Sequence, residues 1–398
     1  MNILSDKSGL STSVVRPIYL DHHSTTPVDG RVAELMVRVM TEKFGNPANR
    51  SHYYGQEAAD LVEEARIEIG GLVDADAGSV ILLRSATAAA DAVISRLAAN
   101  RSRDRPLRVA STTVEHAAIL DALAKLERDG RVVVQWLPVD GMARIDMAVL
   151  RDELSKGCDL VCVMAANNEV GTIYPIEEIA RIARSANVPL LVDGTQAAGH
   201  IPLRVREWDI TYLLMAAHKL YGPKGAAALI VHGDNLPALL EIEKAEGTPN
   251  VPAIAGFAEA CRLCRSGMPD EFVRVGRLRD RLEELLVGKI DGLTVNGDRS
   301  NRMANNLHVS IDGVPNEAVV ARLSHSVALS TGAACRWGTD EPSHVLRAMG
   351  LPDRLVEGAL RLGLGRQTTV GDVELAAELI AAAVQDTRRA IAEKLDDR

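Results

Sequence analysis

The chain has 398 residues, of which 47% are hydrophobic but only 3% aromatic, so alanine, valine and leucine must fill its core. Its 45 basic and 54 acidic residues give a formal net charge of −9, which argues against direct binding of nucleic acid or an anionic membrane surface. No apolar run is long enough to span a bilayer. Because the first residues lack the pattern of a secretion signal and the five cysteines suit a reducing compartment, we expect a cytoplasmic protein.

Apolar runs of strand length alternate with longer helical patterns up to about residue 262, which predicts an α/β fold with a mainly parallel sheet. In chain order, the predicted elements are a helix over 55–73, a strand that enters a helix over 82–93, strands over 131–139 and 160–166, a helix over 175–186, and strands over 189–193, 210–216 and 226–231.

The pattern changes after residue 262. The elements predicted there are a helix over 275–290, a strand over 306–312 and a long helix over 371–395. We therefore expect a large domain and a smaller α+β domain. The predicted divisions are an N-terminal segment over 1–25 that packs with the small domain, a large cofactor-binding domain over 26–262 and a small domain over 263–398.

Two residues at the ends of neighbouring predicted strands carry chemistry. Asp193 ends one strand and Lys219 follows the next, and ligands of open α/β sheets bind at the carboxyl ends of strands. A buried lysine is costly unless it is paired, neutral or covalently engaged. The pair suggests pyridoxal phosphate, with the lysine amine bonded to the cofactor and the carboxylate holding the pyridine nitrogen protonated. For the pair alone, solvated or capping groups are the commoner interpretation.

Other residues add to this pattern, each with a structural alternative. His116 precedes a helical run, where an imidazole could stack on a cofactor ring, move protons or simply support the fold. Asn168 ends a strand and could bond a cofactor oxygen, although an Asn pair before glycine is also ordinary turn chemistry. Ala86 and Thr87 lie where a strand enters a helix, so free N–H groups could bind phosphate there, or Ser85 could only cap the helix.

Cysteine and arginine residues in the second part of the chain are candidates for substrate chemistry. Cys335 follows a stretch of small residues and precedes Arg336, which could lower the pKa of the thiol, although most lone cysteines are inert core residues. Arg366 could hold an α-carboxylate with two hydrogen bonds or form a surface salt bridge. Cys261 and Cys264 have helical spacing, which favours packing over a metal site.

Together and in order, these motifs resemble the pyridoxal-phosphate cysteine desulfurases of the NifS/IscS type, in the branch with a long catalytic loop. The stretches that carry the resemblance include IYLDHHSTTPVDGRV, FGNPANRSHYYGQEA, VEHAAILDALAKLE, NNEVGTIYPI, VDGTQAAGHIPL, HKLYGPKG, GTPNVPAIAGF, STGAACRWGTDEPSHVLRAMGL and LRLGLGRQTT. The resemblance implies a fold-type I transferase, with a mainly parallel seven-stranded sheet in the large domain. It also implies pyridoxal 5′-phosphate as cofactor, L-cysteine as substrate, a homodimer and a sulfur-acceptor protein.

The resemblance assigns a role to each matching residue. Lys219 corresponds to the Schiff-base lysine, and Cys335 to the nucleophile that takes sulfur from L-cysteine, forms a persulfide and leaves L-alanine. The cofactor-binding residues that it implies are Asp193 at the pyridine nitrogen, Gln196 and Asn168 at the phenolic oxygen or substrate, His116 on the ring, Ala86, Thr87 and His218 at the phosphate, and Thr248 donated to the neighbouring subunit. Arg366, with Asn168, corresponds to the site of the substrate carboxylate.

Three segments depart from the pattern of that family, namely RSATAAAD at 84–91, the alanine pair before His218 and LEIEKAEGT at 240–248. The alanine at position 216 removes a hydroxyl that would bind the cofactor phosphate. These departures keep two alternatives open: a pyridoxal-phosphate lyase acting on selenocysteine or cysteine sulfinate, and a degenerate scaffold protein. The sulfur acceptor is not indicated, and iron–sulfur assembly or thio-modification of RNA, DNA or a natural product are all compatible with the sequence.

Overall fold

The structure is a computed structural model that describes residues 16–233, 236–245, 247–331 and 342–396. In chain order, its strands are β1 (Ile18–Tyr19), β2 (Val80–Leu83), β3 (Leu107–Thr112), β4 (Val132–Leu137), β5 (Leu160–Met164), β6 (Leu190–Asp193), β7 (Tyr212–Ala216), β8 (Ala227–Val231), β9 (Leu293–Val295), β10 (Asn306–Ile311), β11 (Val327–Ala328) and β12 (Ala359–Gly363). Its helices are α1 (Gly30–Thr41), α2 (Tyr53–Leu72), α3 (Ala86–Ala99), α4 (Ala117–Arg128), α5 (Met147–Ser155), α6 (Ile176–Ser185), α7 (Val205–Trp208), α8 (Leu236–Ala245), α9 (Val251–Lys289), α10 (Asn316–Leu323), α11 (His344–Ala348), α12 (Asp353–Val356) and α13 (Val370–Asp396).

Seven strands form the central sheet in the order β2-β8-β7-β6-β5-β3-β4. Only β8 runs antiparallel to the others in this sheet, because it pairs antiparallel with both β7 and β2 while the remaining pairs are parallel. Every residue of β5, β7 and β8 is buried, as expected for a sheet covered on both faces. The predicted α/β fold with a mainly parallel seven-stranded sheet is confirmed.

Helices cover both faces of this sheet. On one face, α2, α6 and α9 pack through Ile69, Ile179 and Phe257 in a single apolar cluster with the strands. On the other face, α3 and α4 pack through Val93 and Ile119 in a second cluster. Apolar side chains on one stripe of each helix explain this arrangement, because each stripe must be buried against the sheet. None of the helices in the described part of the chain is both long and apolar enough to cross a membrane.

A smaller sheet lies in the C-terminal part of the chain, in the antiparallel order β12-β10-β9. It packs with α10, α13 and the second half of α9, whose Leu282 and Leu286 are fully buried. The N-terminal β1 pairs in parallel with β11. The predicted boundary at residue 262 falls inside α9, so one continuous helix contributes to both parts, and the division into domains stays a prediction.

Most strands and helices predicted from apolar runs correspond to elements of the structure within a few residues, but the helix predicted over 275–290 is only the second half of α9, which begins at Val251. The strand β3 was not predicted, although it lies between β5 and β4 in the large sheet. It contains an exposed Arg108 and ends in polar residues, so its apolar run is short. Its burial comes from neighbouring strands and helices rather than from its own sequence pattern.

Candidate active site

A cavity of about 500 Å³ lies at the carboxyl ends of β5, β6 and β7. The parallel register pairs Met164 with Asp193, so these strands end at the same edge of the sheet. Residues predicted from the sequence are prominent in the cavity wall, which includes Ala86, Thr87, His116, Asn168, Asp193, Gln196, His218 and Lys219. The fold therefore brings together side chains that are more than 130 positions apart in the chain.

Lys219 ends a short helical turn that directly follows β7. Its Nζ donates to the backbone oxygen of Ser24 at 2.9 Å and to that of His23. The chain then turns back sharply, with the N–H of Gly222 donating to the Ala217 oxygen at 2.9 Å. A Cβ on Gly222 would lie 2.9 Å from both the Cβ and the oxygen of Ala217, so only glycine fits this turn. The turn fixes the direction of the lysine side chain.

Asp193 is the last residue of β6 and is 7% exposed. Its Oδ1 accepts a hydrogen bond from the N–H of Thr195 at 2.9 Å. Among the described residues of the wall, Asp193 is the only carboxylate. A carboxylate at the base of this cavity is well placed to hold a proton on a ligand nitrogen.

Gln196 is held by His23, a residue that the sequence did not single out. The amide oxygen of Gln196 lies 3.0 Å from His23 Nδ1, and its Nε2 donates to the His23 backbone oxygen at 3.1 Å. Burial, followed by the charge of Arg361, lowers the pKa of His23 to about 3, so its ring is neutral at physiological pH. The double histidine in the N-terminal motif was the signal for this residue, but only the tertiary structure places it beside Gln196.

Asn168 lines the cavity and has a side-chain oxygen whose hydrogen-bonding capacity the described residues leave unsatisfied. It is 5% exposed, and within the described residues its Oδ1 has no hydrogen-bond partner. Its backbone oxygen accepts from Nη1 of Arg361 at 3.0 Å, and Nη2 of the same guanidinium bonds to Asp21 at 3.0 Å. Arg361 is a second residue that the sequence analysis missed. Its signal was a charged residue inside the buried strand β12.

Two histidines of the wall are set up as neutral groups. His116 caps α4, where its Nδ1 accepts from the N–H of Ala118 at 3.1 Å, so this nitrogen carries no proton. Burial and the charges of Lys219 and Lys224 lower the pKa of His218 to about 4. Neutral imidazoles can accept or donate hydrogen bonds inside the cavity without adding charge.

The strand-to-helix junction at β2 and α3 forms another part of the wall. Ser85 caps α3 by accepting from the N–H of Ala88 at 3.1 Å. Ala86 and Thr87 occupy the first turn, where backbone N–H groups have no acceptor within the helix and attract anions. The exposed Arg84 precedes this junction and also lines the cavity.

Two predicted site residues are not among the described residues of this wall, and a third lies outside the described part of the chain. Arg366 forms ion pairs with Asp29 at 2.8 Å and Glu271 at 2.7 Å, and it is not among the described residues that line the cavity. Thr248 is exposed on the surface, so its proposed contribution to a neighbouring subunit stays a prediction. Cys335 lies outside the described residues.

The chain is similar to proteins of known sequence and structure. The family model described as aminotransferase class-V matches residues 18–375. The chain belongs to this family. It is 40% identical over 380 residues to the cysteine desulfurase IscS of Anaeromyxobacter sp. (strain Fw109-5), covering 94% of the chain and 93% of the relative.

Two further comparisons agree with membership of the aminotransferase class-V family. The chain is 35% identical over 381 residues to the mitochondrial cysteine desulfurase of Arabidopsis thaliana, covering 94% of the chain and 83% of the relative. A solved NifS-like protein superposes with a TM-score of 0.83 at 28% identity, covering 93% of this chain and 99% of the other. Within the family, the chain is one of the cysteine desulfurases, which are pyridoxal-phosphate-dependent enzymes.

The residues of the cavity fit pyridoxal phosphate. Lys219 supplies an amine, Asp193 a carboxylate for a ring nitrogen and Asn168 an amide oxygen that has no partner among the described residues. The first turn of α3 faces the same cavity and supplies N–H donors for a phosphate. An aromatic ring with an aldehyde and a phosphate thus has a matching group for each of its polar parts.

A buried carboxyl group, which the sequence analysis did not single out, lies behind Asp193. Glu115 is fully buried, and its Oε1 accepts from the Thr112 hydroxyl at 2.6 Å and from the N–H of Met164 at 3.1 Å. Burial raises the pKa of Glu115 to about 8, the Thr112 hydrogen bond opposes that rise, and the nearby Asp193 charge adds to it. Glu115 is thus protonated at neutral pH.

We expect a Glu115→Gln variant to change how stability depends on pH. A carboxyl whose pKa rises from 4.5 to about 8 on folding binds its proton more tightly in the folded state, so the free energy of unfolding decreases as pH rises through this range. Glutamine cannot lose a proton there. The variant should therefore unfold at a temperature about 2 to 4 °C above wild type at pH 8 and near the wild-type temperature at pH 5, measured by calorimetry.

The control is a Glu63→Gln variant, because the Glu63 side chain is 60% exposed and its pH dependence should match wild type. Glu169 is also buried, and burial raises its pKa to about 7, so it contributes a slope of the same sign. The decrease of stability with rising pH should therefore be weaker in Glu115→Gln than in wild type, but not absent. Equal slopes in the variant and wild type would contradict a buried, titrating Glu115.

Proposed function

We propose that this protein is a cysteine desulfurase that converts L-cysteine to L-alanine and carries the sulfur as a persulfide on Cys335. One observation carries this proposal: Lys219, Asp193, His116 and Asn168, from separate parts of the chain, line a single cavity that fits pyridoxal phosphate. A relative that is 40% identical to the chain is named a cysteine desulfurase, which supports the same reaction.

The role that we propose for Cys335 is supported by the described residues on either side of 332–341. Before residues 332–341, Ser330 exchanges backbone hydrogen bonds with Arg361, with N–O distances of 2.7 and 3.3 Å. After them, the Ser343 hydroxyl donates to Glu169, which directly follows Asn168 in the cavity wall. His344 contacts the backbone oxygen of Glu115 at 3.0 Å. Both ends of the segment that carries the thiol are therefore anchored beside the site.

Different side chains of the protein act at different steps of the reaction. When bound, pyridoxal phosphate supplies an electron-accepting ring conjugated to the substrate α-carbon. Asp193 keeps the proton on the ring nitrogen, and the Lys219 amine takes and returns the proton at the substrate α-carbon. The Cys335 thiolate attacks the substrate sulfur, so that a sulfur–sulfur bond forms as the carbon–sulfur bond breaks. The electron pair of the broken bond remains on the β-carbon, which is protonated to give alanine.

Arg361 is our candidate for the residue that binds the substrate α-carboxylate. It is 1% exposed, contacts the backbone of Asn168 in the cavity wall and retains an Nε group with no acceptor among the described residues. Arg366, which the sequence analysis favoured, already pairs with two carboxylates and lies 4.1 Å from the ring centre of Tyr221. Arg361 pairs with one carboxylate, Asp21, whereas Arg366 pairs with two, so the Arg361 guanidinium retains more capacity to receive a further carboxylate.

The proposed reaction is tested by incubating the purified protein with L-cysteine and a reductant, and then quantifying alanine and sulfide. We expect the two products in equal amounts, and we expect L-cysteine sulfinate and L-selenocysteine to be poorer substrates of the Cys335-dependent reaction. A Cys335→Ala variant that still released sulfide from L-cysteine would contradict the persulfide step. Bound cofactor with no alanine from L-cysteine would favour a different substrate or a required partner, and protein without bound cofactor would favour the scaffold alternative.

We also propose that the protein is a homodimer that passes sulfur to a separate acceptor protein. Exposed Phe44 and Tyr54 stack with ring centres 5.3 Å apart, and Tyr53 packs on Tyr54, which forms an apolar surface near the start of α2. Such a cluster is typical of protein interfaces. Thr248 is exposed and is not among the described residues that line the cavity of its own subunit. Light scattering should give twice the chain mass of 42.7 kDa, and a mass of one chain would contradict the dimer. The cytoplasmic location stays a prediction.

A further inference from the structure

The cavity wall near α3 is unusually basic for an acidic protein. Arg84, Lys219 and Lys224 line the cavity together, and Asp193 is the only carboxylate among its described lining residues. The whole chain has a net charge of −9, so this concentration of cations is local. His218 does not add to it, because burial and the neighbouring lysines lower its pKa to about 4. The wall thus suits an anion with more than one negative charge.

One hydroxyl that the resemblance leads us to expect near the phosphate is absent from the wall. Position 216 is an alanine, where the resemblance to cysteine desulfurases led us to expect a phosphate-binding hydroxyl. The Ser85 hydroxyl is committed to the cap of α3, and the Thr25 hydroxyl lies 3.3 Å from His218 Nδ1. A phosphate in this cavity therefore has fewer neutral donors than the family pattern implies.

Arg84 lies where a replacement donor is needed. It connects the end of β2 to the Ser85 cap, two residues before the first residue of α3, and its exposed side chain lines the cavity. A guanidinium presents two parallel N–H groups that match a phosphate, and such charge-assisted hydrogen bonds are stronger than those of a hydroxyl. A phosphate monoester carries about −1.5 to −2 charges at neutral pH, which complements the basic wall.

We propose that Arg84 binds the phosphate group of the cofactor and replaces the hydroxyl missing at position 216. This inference rests on the placement of pyridoxal phosphate in the cavity under the proposed function. Lys219 is assigned to the aldehyde of the cofactor, so Arg84 and Lys224 are the other cations of the described cavity wall. Of the two, Arg84 adjoins the N–H donors of the α3 first turn, so both would act on the same group.

The test compares two ligands that differ only in the phosphate. Cofactor-free protein, prepared from the holoenzyme, is titrated with pyridoxal 5′-phosphate and with pyridoxal, and binding is followed by absorbance. We expect Arg84→Gln to weaken binding of pyridoxal 5′-phosphate by about tenfold or more and to leave pyridoxal binding unchanged. An Arg96→Gln variant is the matched control, because Arg96 is exposed in the last turn of the same helix.

A restoring variant sharpens the test. Adding Ala216→Ser to Arg84→Gln should recover part of the lost affinity for pyridoxal 5′-phosphate, because the serine returns a hydroxyl to the cavity. Unchanged affinity for pyridoxal 5′-phosphate in Arg84→Gln, or an equal loss for both ligands, would overturn the assignment. These titrations need no substrate, so they distinguish a failure of this inference from a failure of the proposed desulfuration, which is measured by alanine and sulfide.

Discussion

A Lys219→Ala variant should be colourless and should form alanine from L-cysteine at least about 10⁴-fold more slowly than wild type. The expected loss is this large because the variant lacks both the amine that bonds to the cofactor and the base that acts at the substrate α-carbon. The structure supports the assignment, since Lys219 is held in the cavity wall by the turn at Gly222. Absorbance spectra of the purified protein and product quantification measure the two effects.

Borohydride reduction gives a second, independent readout of the same residue. Reduction should fix the cofactor permanently to wild-type protein, so that it remains attached after denaturation, and mass spectrometry should locate it on Lys219. In Lys219→Ala, denaturation should release all of the cofactor. A Lys125→Ala variant is the control, because Lys125 is exposed near the end of α4. Retention of covalently fixed cofactor by Lys219→Ala would refute the assignment.

The second large effect concerns the substrate carboxylate. Arg361→Gln should raise the KM for L-cysteine by about 10- to 100-fold, the equivalent of one or two charge-assisted hydrogen bonds of about 1.5–3 kcal/mol. Its affinity for pyridoxal 5′-phosphate should change little, because the guanidinium contacts Asn168 and Asp21 at the edge of the cavity rather than the first turn of α3. Steady-state kinetics and cofactor titration separate these outcomes.

Removing Arg361 also leaves Asp21, whose side chain is 21% exposed, without its ion-pair partner, so we expect the variant to lose about 1.5–3 kcal/mol of stability. Arg366→Gln is a matched control for this cost, since Arg366 also neutralises two carboxylates, Asp29 and Glu271. We expect both variants to unfold at lower temperature but only Arg361→Gln to raise KM. A raised KM in Arg366→Gln with a normal KM in Arg361→Gln would instead support the assignment made from sequence.

The local sequence predicted those features that depend on short-range pattern. Buried strands such as β5 and β6 are continuous apolar runs, and the polar residues that follow them mark the carboxyl edge of a parallel sheet. Lys219 and Asp193 could be recognised because each directly follows or ends such a strand. Glycine at 222 was visible as part of a turn, although the close approach to Ala217 that requires it was not.

Residues that reach the site from distant segments could not be found in this way. His23 meets Gln196 across 173 positions, and Arg361 meets Asn168 across 193. No periodicity encodes such contacts, because they depend on how the small sheet and the N-terminal segment pack against the large sheet. The same limit explains why Arg366 and Arg361 could not be ranked from sequence, since both lie within a few residues of each other on one short stretch.

By itself, the sequence determined the layered α/β fold, the places of Lys219 and Asp193 at neighbouring strand ends and the departures at 84–91 and 216. Burial patterns and polar residues at strand ends are local properties, so they can be recognised in the order of the residues along the chain. Only the tertiary structure decided that Glu115 lies behind Asp193, that Arg361 bonds to the backbone of Asn168 while Arg366 pairs with Asp29 and Glu271, and that Arg84 lines the same cavity as the alanine at position 216. Those relations arise when packing desolvates charged groups and forces each to find a partner across the fold.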